Sequence, residues 1–273
     1  MKNSDFDYSY QYSNWHTDTD ESRKADVFSA KQLFDIHAIY PHEQESRVLE
    51  IGCGIGRTLL MLRGQGYENL TGIDIDESQA ETAKKEGLRV YRTDANDFLS
   101  DGSEKYHAVY CFDVLEHIEK EEQLPLLKLV NSRLADDGFV VIRVPNALSP
   151  TFGYFRYADF THRVSYTMHT LSFLLHNAGL HYVTVRPERR ESLRMQWMKI
   201  PWANLYRFEH GLEDFALTPN IVAVTFKDED MFRNYMSRAP LIQNGYRGPM
   251  WLARVIVRRL RKPLVPFRGK NGM

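Results

Sequence analysis

The sequence predicts an α/β protein with a seven-stranded, mostly parallel sheet that is covered by helices on both faces. Short apolar runs alternate with helical patterns from Arg47 onward, which is typical of parallel sheets flanked by helices. A glycine-rich loop follows the first apolar run at residues 48–56, and acidic residues end the runs that come after it. These observations predict a ligand site at the carboxyl ends of the strands.

Seven apolar runs predict the strands, and patterns with helical spacing predict the helices between them. Strands are expected at 47–51, 69–74, 88–91, 106–112, 138–144, 180–186 and 220–227. Helices are expected at 24–39, 57–65, 77–86, 120–135 and 167–178. Gly138 and Gly179 are interpreted as turns from helix to strand.

One domain, residues 46–228, is expected to hold the ligand site, because it contains all seven predicted strands. Residues 1–45 form a cap or lid ahead of it, acidic and aromatic at first and then amphipathic. Residues 145–166 and 187–219 interrupt the alternation and are expected to cover a bound substrate. Residues 229–273 form a basic tail.

The charge of this tail contrasts with the rest of the chain. Residues 231–273 hold ten basic and no acidic residues, whereas the remainder holds 25 basic and 36 acidic ones. Residues 249–262 predict a helix with one apolar and one basic face, which is typical of binding to an anionic membrane surface. The alternatives are docking on the acidic body of the protein and a dimer interface.

The rest of the composition predicts a cytoplasmic protein, at most peripheral at the inner face of a membrane. No run of 18 apolar residues is present, and residues 1–5 lack the apolar segment of a secretory signal. The two cysteines, Cys53 and Cys111, follow or end apolar strands, and a disulfide framework is not expected.

The glycine-rich loop predicts a nucleotide-like cofactor, and its neighbours predict a cationic one. Gly52, Gly54 and Gly56 stand at alternate positions between an apolar run and a helical pattern, where backbone can approach a ligand. Glu50 precedes the loop, and Asp74 ends the next strand. Acidic residues so placed suit a cation, whereas they would repel a pyrophosphate.

Together these features resemble the class I S-adenosylmethionine (SAM) methyltransferases over residues 47–186. The resemblance implies a Rossmann-like fold with an antiparallel last strand, and SAM as cofactor. It places Asp74 at the ribose hydroxyls, Ile75 against adenine, Asp94 and Ala95 near the adenine amino group, and residues 112–117 at the methionine end. The implied cofactor-binding residues are Glu50, Gly52, Cys53, Gly54, Gly56, Asp74, Ile75, Asp94, Ala95, Phe112 and Asp113.

The chain departs from the family before the fifth strand. Residues 134–139, Leu-Ala-Asp-Asp-Gly-Phe, resemble the Leu-x-Pro-Gly-Gly turn of the family but lack its proline and first glycine. We expect the difference to change only the turn.

The segment from Asp159 to Leu180, with its Asp-x-Thr-His and Tyr-Thr pairs, resembles a subgroup of the family. Many members accompany glycosyltransferases in bacterial O-antigen and capsule pathways, and others methylate small hydroxylated metabolites, as in ubiquinone biosynthesis. The resemblance implies a hydroxyl acceptor, with a saccharide or glycan intermediate favoured. A quinone-like or phenolic metabolite is the alternative, and a non-catalytic SAM-binding scaffold is the alternative outside enzymes.

Two histidines are candidates for removing the acceptor proton. His162 is the first, because imidazole titrates near neutrality and its loop follows the fifth strand. Asp159 is expected to orient His162. His117 is the second candidate, near the methionine end of the cofactor. Residues 152–157 are rich in aromatic side chains, which predicts a lid over the core or stacking on sugar rings.

A metal-dependent activity on RNA is a further alternative. Asp113, Glu116, His117 and His162 resemble the Glu-x-x-Glu-His and distant His of small-RNA 2′-O-methyltransferases, in which a divalent metal activates a ribose. The acidic body argues against RNA, which normally needs a positive surface. Nucleic acid is therefore not expected as a partner, and the sequence assigns no metal ligand.

Overall fold

A seven-stranded sheet organises the larger of two units in the computed structural model. The structure describes residues 19–188, 193–210 and 216–239. The larger unit comprises residues 1–190 and 215–242, and the smaller comprises residues 191–214 and 243–273. In the smaller unit the described residues form two helices, α8 (Leu193–Met198) and α9 (Ile200–His210).

The larger unit alternates strands and helices through most of its length. Its strands are β1 (Val48–Ile51), β2 (Leu70–Asp74), β3 (Val90–Arg92), β4 (Tyr106–Phe112), β5 (Leu134–Pro145), β6 (Tyr182–Pro187) and β7 (Asn220–Phe226). Its described helices are α1 (Asp20–His37), α2 (Arg57–Gly64), α3 (Glu77–Lys85), α4 (Ala95–Asp101), α5 (Lys120–Arg133), α6 (Phe152–Ala158), α7 (Met168–Asn177) and α10 (Glu229–Arg238), with a 3-10 turn at Leu115–His117.

The strand order is β3-β2-β1-β4-β5-β7-β6, which confirms the predicted fold class. The first five strands run parallel to one another, and β7 pairs antiparallel with both β5 and β6. Because β1 lies between β2 and β4, the chain reverses its direction of progress across the sheet there. Ligands in open α/β sheets bind beyond the carboxyl ends of the strands at such a point.

Buried strands hold the sheet at the centre of this unit. All four residues of β1 and six of the seven of β7 are buried, and apolar side chains form one cluster on each face. Leu49, Ile142 and Leu171 belong to one cluster, and Phe34 and Tyr110 belong to the other. Continuous burial explains why apolar runs located these strands.

Several predicted boundaries differ from the structure. The predicted turn at Gly138 is wrong, because β5 begins at Leu134 and passes through Gly138, with Leu134 paired to Tyr106. The sequence did not predict α4 or α6. Residues 229–238, assigned above to the tail, form α10, in which Tyr235 donates a hydrogen bond to the His37 carbonyl (2.8 Å).

Two other expectations concern membranes. Within the described ranges, no helix has both the length and the apolar character needed to cross a bilayer. The basic helix predicted at residues 249–262 lies outside the described residues.

Candidate functional site

The glycine-rich loop between β1 and α2 adopts a backbone that only glycine accepts readily. Gly52, Gly54 and Gly56 have φ angles of 67°, 53° and 80°, all in the left-handed region. A Cβ at Gly52 would overlap Val114 Cγ2, and one at Gly54 would lie 2.9 Å from Gln79 Oε1. Gly52 therefore lets the loop pass close to the segment that follows β4, and Gly54 lets it pass close to α3.

Asp74 fixes this loop from the end of β2. Its Oδ2 accepts a hydrogen bond from the Gly54 N–H (2.7 Å), and its Oδ1 accepts one from the Asp76 N–H (2.8 Å). Asp76 in turn caps α3 by accepting from the Gln79 N–H (2.9 Å), and Asp94 caps α4. Three acidic side chains are thus held at the carboxyl edge by the elements around them.

A cavity of about 420 Å³ opens at this edge, within the roughly 300–1,000 Å³ of small-molecule sites. Its described lining includes five aspartates and no lysine or arginine. They are Asp74, Asp76, Asp94, Asp113 and Asp159. A cavity with this lining suits a cationic ligand and disfavours an anionic one, so the residues fit a cofactor that carries sulfonium and ammonium groups.

The predicted cofactor-binding residues fall into two groups. Seven line the cavity, namely Gly52, Gly54, Asp74, Ile75, Asp94, Ala95 and Asp113. Four are not part of its lining. Gly56 precedes the first residue of α2, Cys53 is a buried residue of the loop, and the Phe112 ring packs against those of Phe34 and Tyr110. The fourth is Glu50.

Glu50 is a buried carboxyl beneath the loop. Its side chain is 4% exposed, its Oε2 has no hydrogen-bond partner among the described residues, and its hydrogen bond is to Thr58. Burial raises its pKa to about 8, and the nearby Asp74 carboxylate adds to the shift. A cation bound at the cavity would oppose this shift.

Asp113 is held in a left-handed conformation at the end of β4, with φ of 55°. This conformation is uncommon for residues other than glycine. The Arg143 guanidinium donates to both carboxylate oxygens of Asp113, at 3.0 Å for Nε–Oδ1, and lies 3.6 Å from Glu188 Oε1. A two-pronged ion pair of this kind fixes the direction of the carboxylate.

A cluster of four ionisable side chains lies at the cavity, and three of them, His117, Asp159 and His162, line it. It joins Glu116 and His117, from the 3-10 turn after β4, with Asp159 and His162, from the segment after α6. His162 Nε2 lies 3.6 Å from Asp159 Oδ2 and 4.0 Å from Glu116 Oε1. The rings of His117 and His162 are 4.7 Å apart. The structure therefore brings together the three predicted catalytic residues.

Hydrogen bonds define which nitrogen of each ring carries the proton. His162 Nδ1 lies 2.8 Å from the Phe155 carbonyl oxygen, which can only accept, so this nitrogen is the donor. Thr161 donates its hydroxyl proton to Asp159 (2.6 Å), so His117 Nδ1 must donate to the Thr161 oxygen (2.8 Å). With Nδ1 as the donor, the neutral form of each ring has its lone pair on Nε2.

These contacts revise the role predicted for Asp159. The Phe155 carbonyl orients the His162 ring, whereas Asp159 orients Thr161 and, through it, His117. Although burial opposes the shift, hydrogen bonds from Thr161 lower the pKa of Asp159, which keeps it ionised.

Burial shifts the pKa values of two members of the cluster in the direction that favours their uncharged forms. It lowers the pKa of His117 to about 4, with His162 adding to the shift. It raises the pKa of Glu116 well above its usual value, and Asp113 reinforces the effect. Glu116 is fully buried, and neither of its carboxyl oxygens has a hydrogen-bond partner among the described residues.

The sequence indicated two residues of this cluster only indirectly. Thr161 is part of the Asp-x-Thr-His pattern but was not predicted to contact a histidine, and Glu116 was a candidate only through the resemblance to RNA methyltransferases. Phe155 lies in the aromatic segment 152–157, for which one prediction was a lid over the core. In the structure this segment forms helix α6. No described residue of α6 is buried, and Tyr154 and Tyr157 are exposed, so this helix covers no core. It contributes Phe155 and Ala158 to the cavity instead.

Comparison with known families agrees with this geometry. A family model described as a methyltransferase domain matches residues 12–185, more than half of the chain. Curated relatives include ubiquinone biosynthesis O-methyltransferases of Rickettsia conorii, 32% identical over 103 residues, and Rickettsia canadensis, 29% identical over 109 residues. These matches cover 36% and 38% of this chain and 35% and 45% of the relatives, so the chain spans less than half of their length.

Solved structures show the same fold at low sequence identity. A SAM-dependent methyltransferase from Archaeoglobus fulgidus is 22% identical with a TM-score of 0.62, covering 80% of this chain and 99% of that protein. A SAM-dependent methyltransferase from Thermotoga maritima is 17% identical with a TM-score of 0.56, covering 81% and 96%.

Proposed function

The chain belongs to the methyltransferase domain family, and from this premise we propose that it transfers a methyl group from SAM to a hydroxyl group of a small molecule. The observation that carries the proposal is the cluster in which His117, Asp159 and His162 line an acidic cavity beside the buried Glu116. It provides groups that can take a proton at the place where the acceptor meets the cofactor.

The part of the proposal that concerns cofactor binding rests on the aspartates that line the cavity. SAM, when bound, supplies a methyl group on a positively charged sulfur, and its transfer to oxygen leaves the acceptor proton to be removed. Asp74, Ile75, Asp94 and Ala95 would hold the adenosine end. Gly52, Gly54 and Asp113 would hold the methionine end, where Arg143 keeps the Asp113 carboxylate in place.

The proton-removing part rests on the imidazole cluster. An alcohol or phenol is a better nucleophile once its proton is shared with a base within hydrogen-bond reach. His162 presents an Nε2 lone pair because its Nδ1 is engaged, and Asp159 stands 3.6 Å away to balance positive charge. His117 is fixed in the same tautomer through Thr161. We assign proton removal to this cluster, with His162 as its principal member.

Among acceptors, we favour a phenolic or quinone-like metabolite over a saccharide. The curated relatives are named ubiquinone biosynthesis O-methyltransferases, which supports the small aromatic class. Aromatic side chains at the cavity, Phe155 with exposed Tyr154 and Tyr157 beside it, suit a flat ring. The glycan interpretation is the second candidate, since aromatic faces also stack on sugar rings.

Transfer of radioactive methyl groups from labelled SAM tests the proposal. The acceptors would be catechols and prenylated catechols in one set, and nucleotide sugars and lipid-linked oligosaccharides in the other. We expect labelled product in the phenolic set. Labelling confined to the saccharide set would overturn the acceptor assignment, and the absence of SAM binding by calorimetry would overturn the function itself.

A pair of variants tests the cluster. His162→Ala should lower turnover by roughly 10²-fold or more while SAM binding is retained. His169→Ala is the matched control, because His169 is an exposed histidine on α7 outside the cavity lining. Turnover of His162→Ala near that of His169→Ala would contradict the assignment.

A further inference from the structure

We propose that a second cavity, at the amino ends of the strands, binds a small aromatic carboxylate. This cavity has a volume of about 320 Å³, within the range of small-molecule sites. Its described lining combines residues 38–42, which connect α1 to β1, with side chains of β5, β7 and α10. The proposal goes beyond the proposed function and does not depend on it.

The second cavity is separate from the 420 Å³ cavity described above, here called the cofactor cavity. Phe139 lines the second cavity and pairs with Ala108 of β4, which pairs with Val48, the first residue of β1. The cofactor cavity is instead lined by Ile51, the last residue of β1. The two cavities therefore lie at opposite edges of the sheet, and their described linings share no residue.

Aromatic rings form much of the wall of the second cavity. Phe139 of β5 and Phe226 of β7 are paired residues whose ring centres are 5.5 Å apart, and the Tyr235 ring of α10 lies 5.1 Å from that of Phe226. Tyr40 adds a fourth ring from the segment before β1. Neighbouring rings of this kind pack favourably against a further flat ring, so the wall favours an aromatic ligand.

The charge at the second cavity is opposite to that at the cofactor cavity. Arg238 of α10 and His42 supply a guanidinium and an imidazole, and none of the described lining residues is acidic. Both side chains are exposed, so a ligand can reach them from solvent. The described lining of the cofactor cavity has five aspartates and no lysine or arginine. Electrostatic complementarity therefore favours an anion at the second cavity.

The Arg238 guanidinium is available to such an anion. Arg233, on the same helix, is paired with Glu229 and Asp230. Arg238 takes part in no ion pair or side-chain hydrogen bond with the rest of the described chain. A guanidinium can donate two parallel hydrogen bonds to one carboxylate, and its single charge matches that of the carboxylate.

His42 is a second contact for the same carboxylate. Burial lowers its pKa, and the positive charge of Arg238 adds to the shift, whereas Asp137 and Glu43, which lie outside the lining, oppose it. Its ring meets that of Phe139 edge-on, with 6.3 Å between the ring centres. A neutral imidazole donates a hydrogen bond through one ring nitrogen, and a bound anion would favour the charged form.

Calorimetric titration of the full chain with 2-naphthoate tests the proposal. Excess SAM would be present in one series and absent in the other, so that the cofactor cavity is blocked in the first. We expect one naphthoate per chain in both series, with a dissociation constant of about 1 mM or below. The amide 2-naphthamide has the same rings without the charge, and it should bind at least about tenfold more weakly.

Exposed side chains provide the variants, so the fold should be retained, which circular dichroism checks. Arg238→Gln should lower the affinity for 2-naphthoate at least about tenfold, and His42→Ala should lower it about two- to tenfold. Arg233→Gln is the matched control, because Arg233 is an exposed residue of the same helix outside the lining. It should leave the affinity unchanged.

Three results would overturn the proposal. The first is the absence of naphthoate binding by the full chain, as expected if a second copy or residues outside the described ranges fill the cavity. The second is equal affinity for the amide, or equal affinity of the Arg238→Gln and Arg233→Gln proteins. The third is displacement of naphthoate by SAM, which would place it in the cofactor cavity. Failure of SAM binding or methyl transfer would overturn only the proposed function.

Discussion

Gly52→Ala is expected to destabilise the fold and weaken cofactor binding through two separable effects. The backbone φ of 67° is unfavourable for any residue with a Cβ, by about 1–2 kcal/mol. The new methyl group would also overlap Val114 Cγ2, and overpacking of this kind costs about 1–3 kcal/mol. The free energy of unfolding should therefore fall by about 2–5 kcal/mol.

A second substitution separates the two effects. Val114→Ala in the Gly52→Ala background should remove the overlap and leave the backbone strain, giving a coupling energy of about 1–3 kcal/mol in a double-mutant cycle. Val114 lines the cavity, so we expect the single Gly52 variant to lose about tenfold or more in SAM affinity. Much of this loss should return in the double variant.

Urea unfolding followed by circular dichroism measures the stability, and calorimetry with SAM measures the affinity. Gly64→Ala is the matched control, because Gly64 ends α2 and a Cβ there would have no neighbour within 4 Å. It should be neutral or stabilising by up to about 1 kcal/mol. A Gly52→Ala protein within about 0.5 kcal/mol of wild type would refute the reasoning.

Three further substitutions test the acidic residues at the candidate site and the arginine that binds one of them. Asp74→Asn should weaken SAM binding at least about tenfold by calorimetry, since it removes a charge-assisted contact, and the exposed Asp97→Asn should not. Because burial raises the pKa of Glu50 to about 8 from an ordinary 4.5, stability should fall as the pH rises through this window. Glu50→Gln should flatten that fall in urea unfolding, and an unchanged slope would contradict the assignment. Arg143→Lys keeps the charge but loses the two-pronged contact with Asp113, so SAM affinity should fall about tenfold by calorimetry.

The strands could be predicted because burial on both faces leaves a continuous apolar run. The predicted bounds of β1, β4 and β7 agree with the structure to within one residue. Helix α6 could not be predicted in this way, because it buries none of its residues and so has no apolar stripe. The start of β5 was missed because Leu134 continues the helical pattern of α5, and only its pairing with Tyr106 reveals a strand.

The part of the candidate site that a local sequence motif forms could be predicted. The spacing of Gly52 and Gly54 and the acid at Asp74 indicated the cofactor cavity, because strand, loop and helix are contiguous in sequence. The cluster depends on tertiary contacts across more than 40 residues. The Asp-x-Thr-His pattern indicated Asp159 and His162, but the support of His117 by Thr161 appears only in the folded chain.

Glu116 joins the two halves of the candidate site. Its backbone carbonyl accepts hydrogen bonds from the Arg163 N–H (2.6 Å) and the Val164 N–H (3.2 Å), which hold the segment after His162 against the turn after β4. This anchoring uses only the backbone, so an apolar side chain would serve it equally well. A buried carboxyl without a partner costs roughly 1–3 kcal/mol or more. An apolar side chain of similar size at this position would avoid that cost and leave both backbone contacts in place.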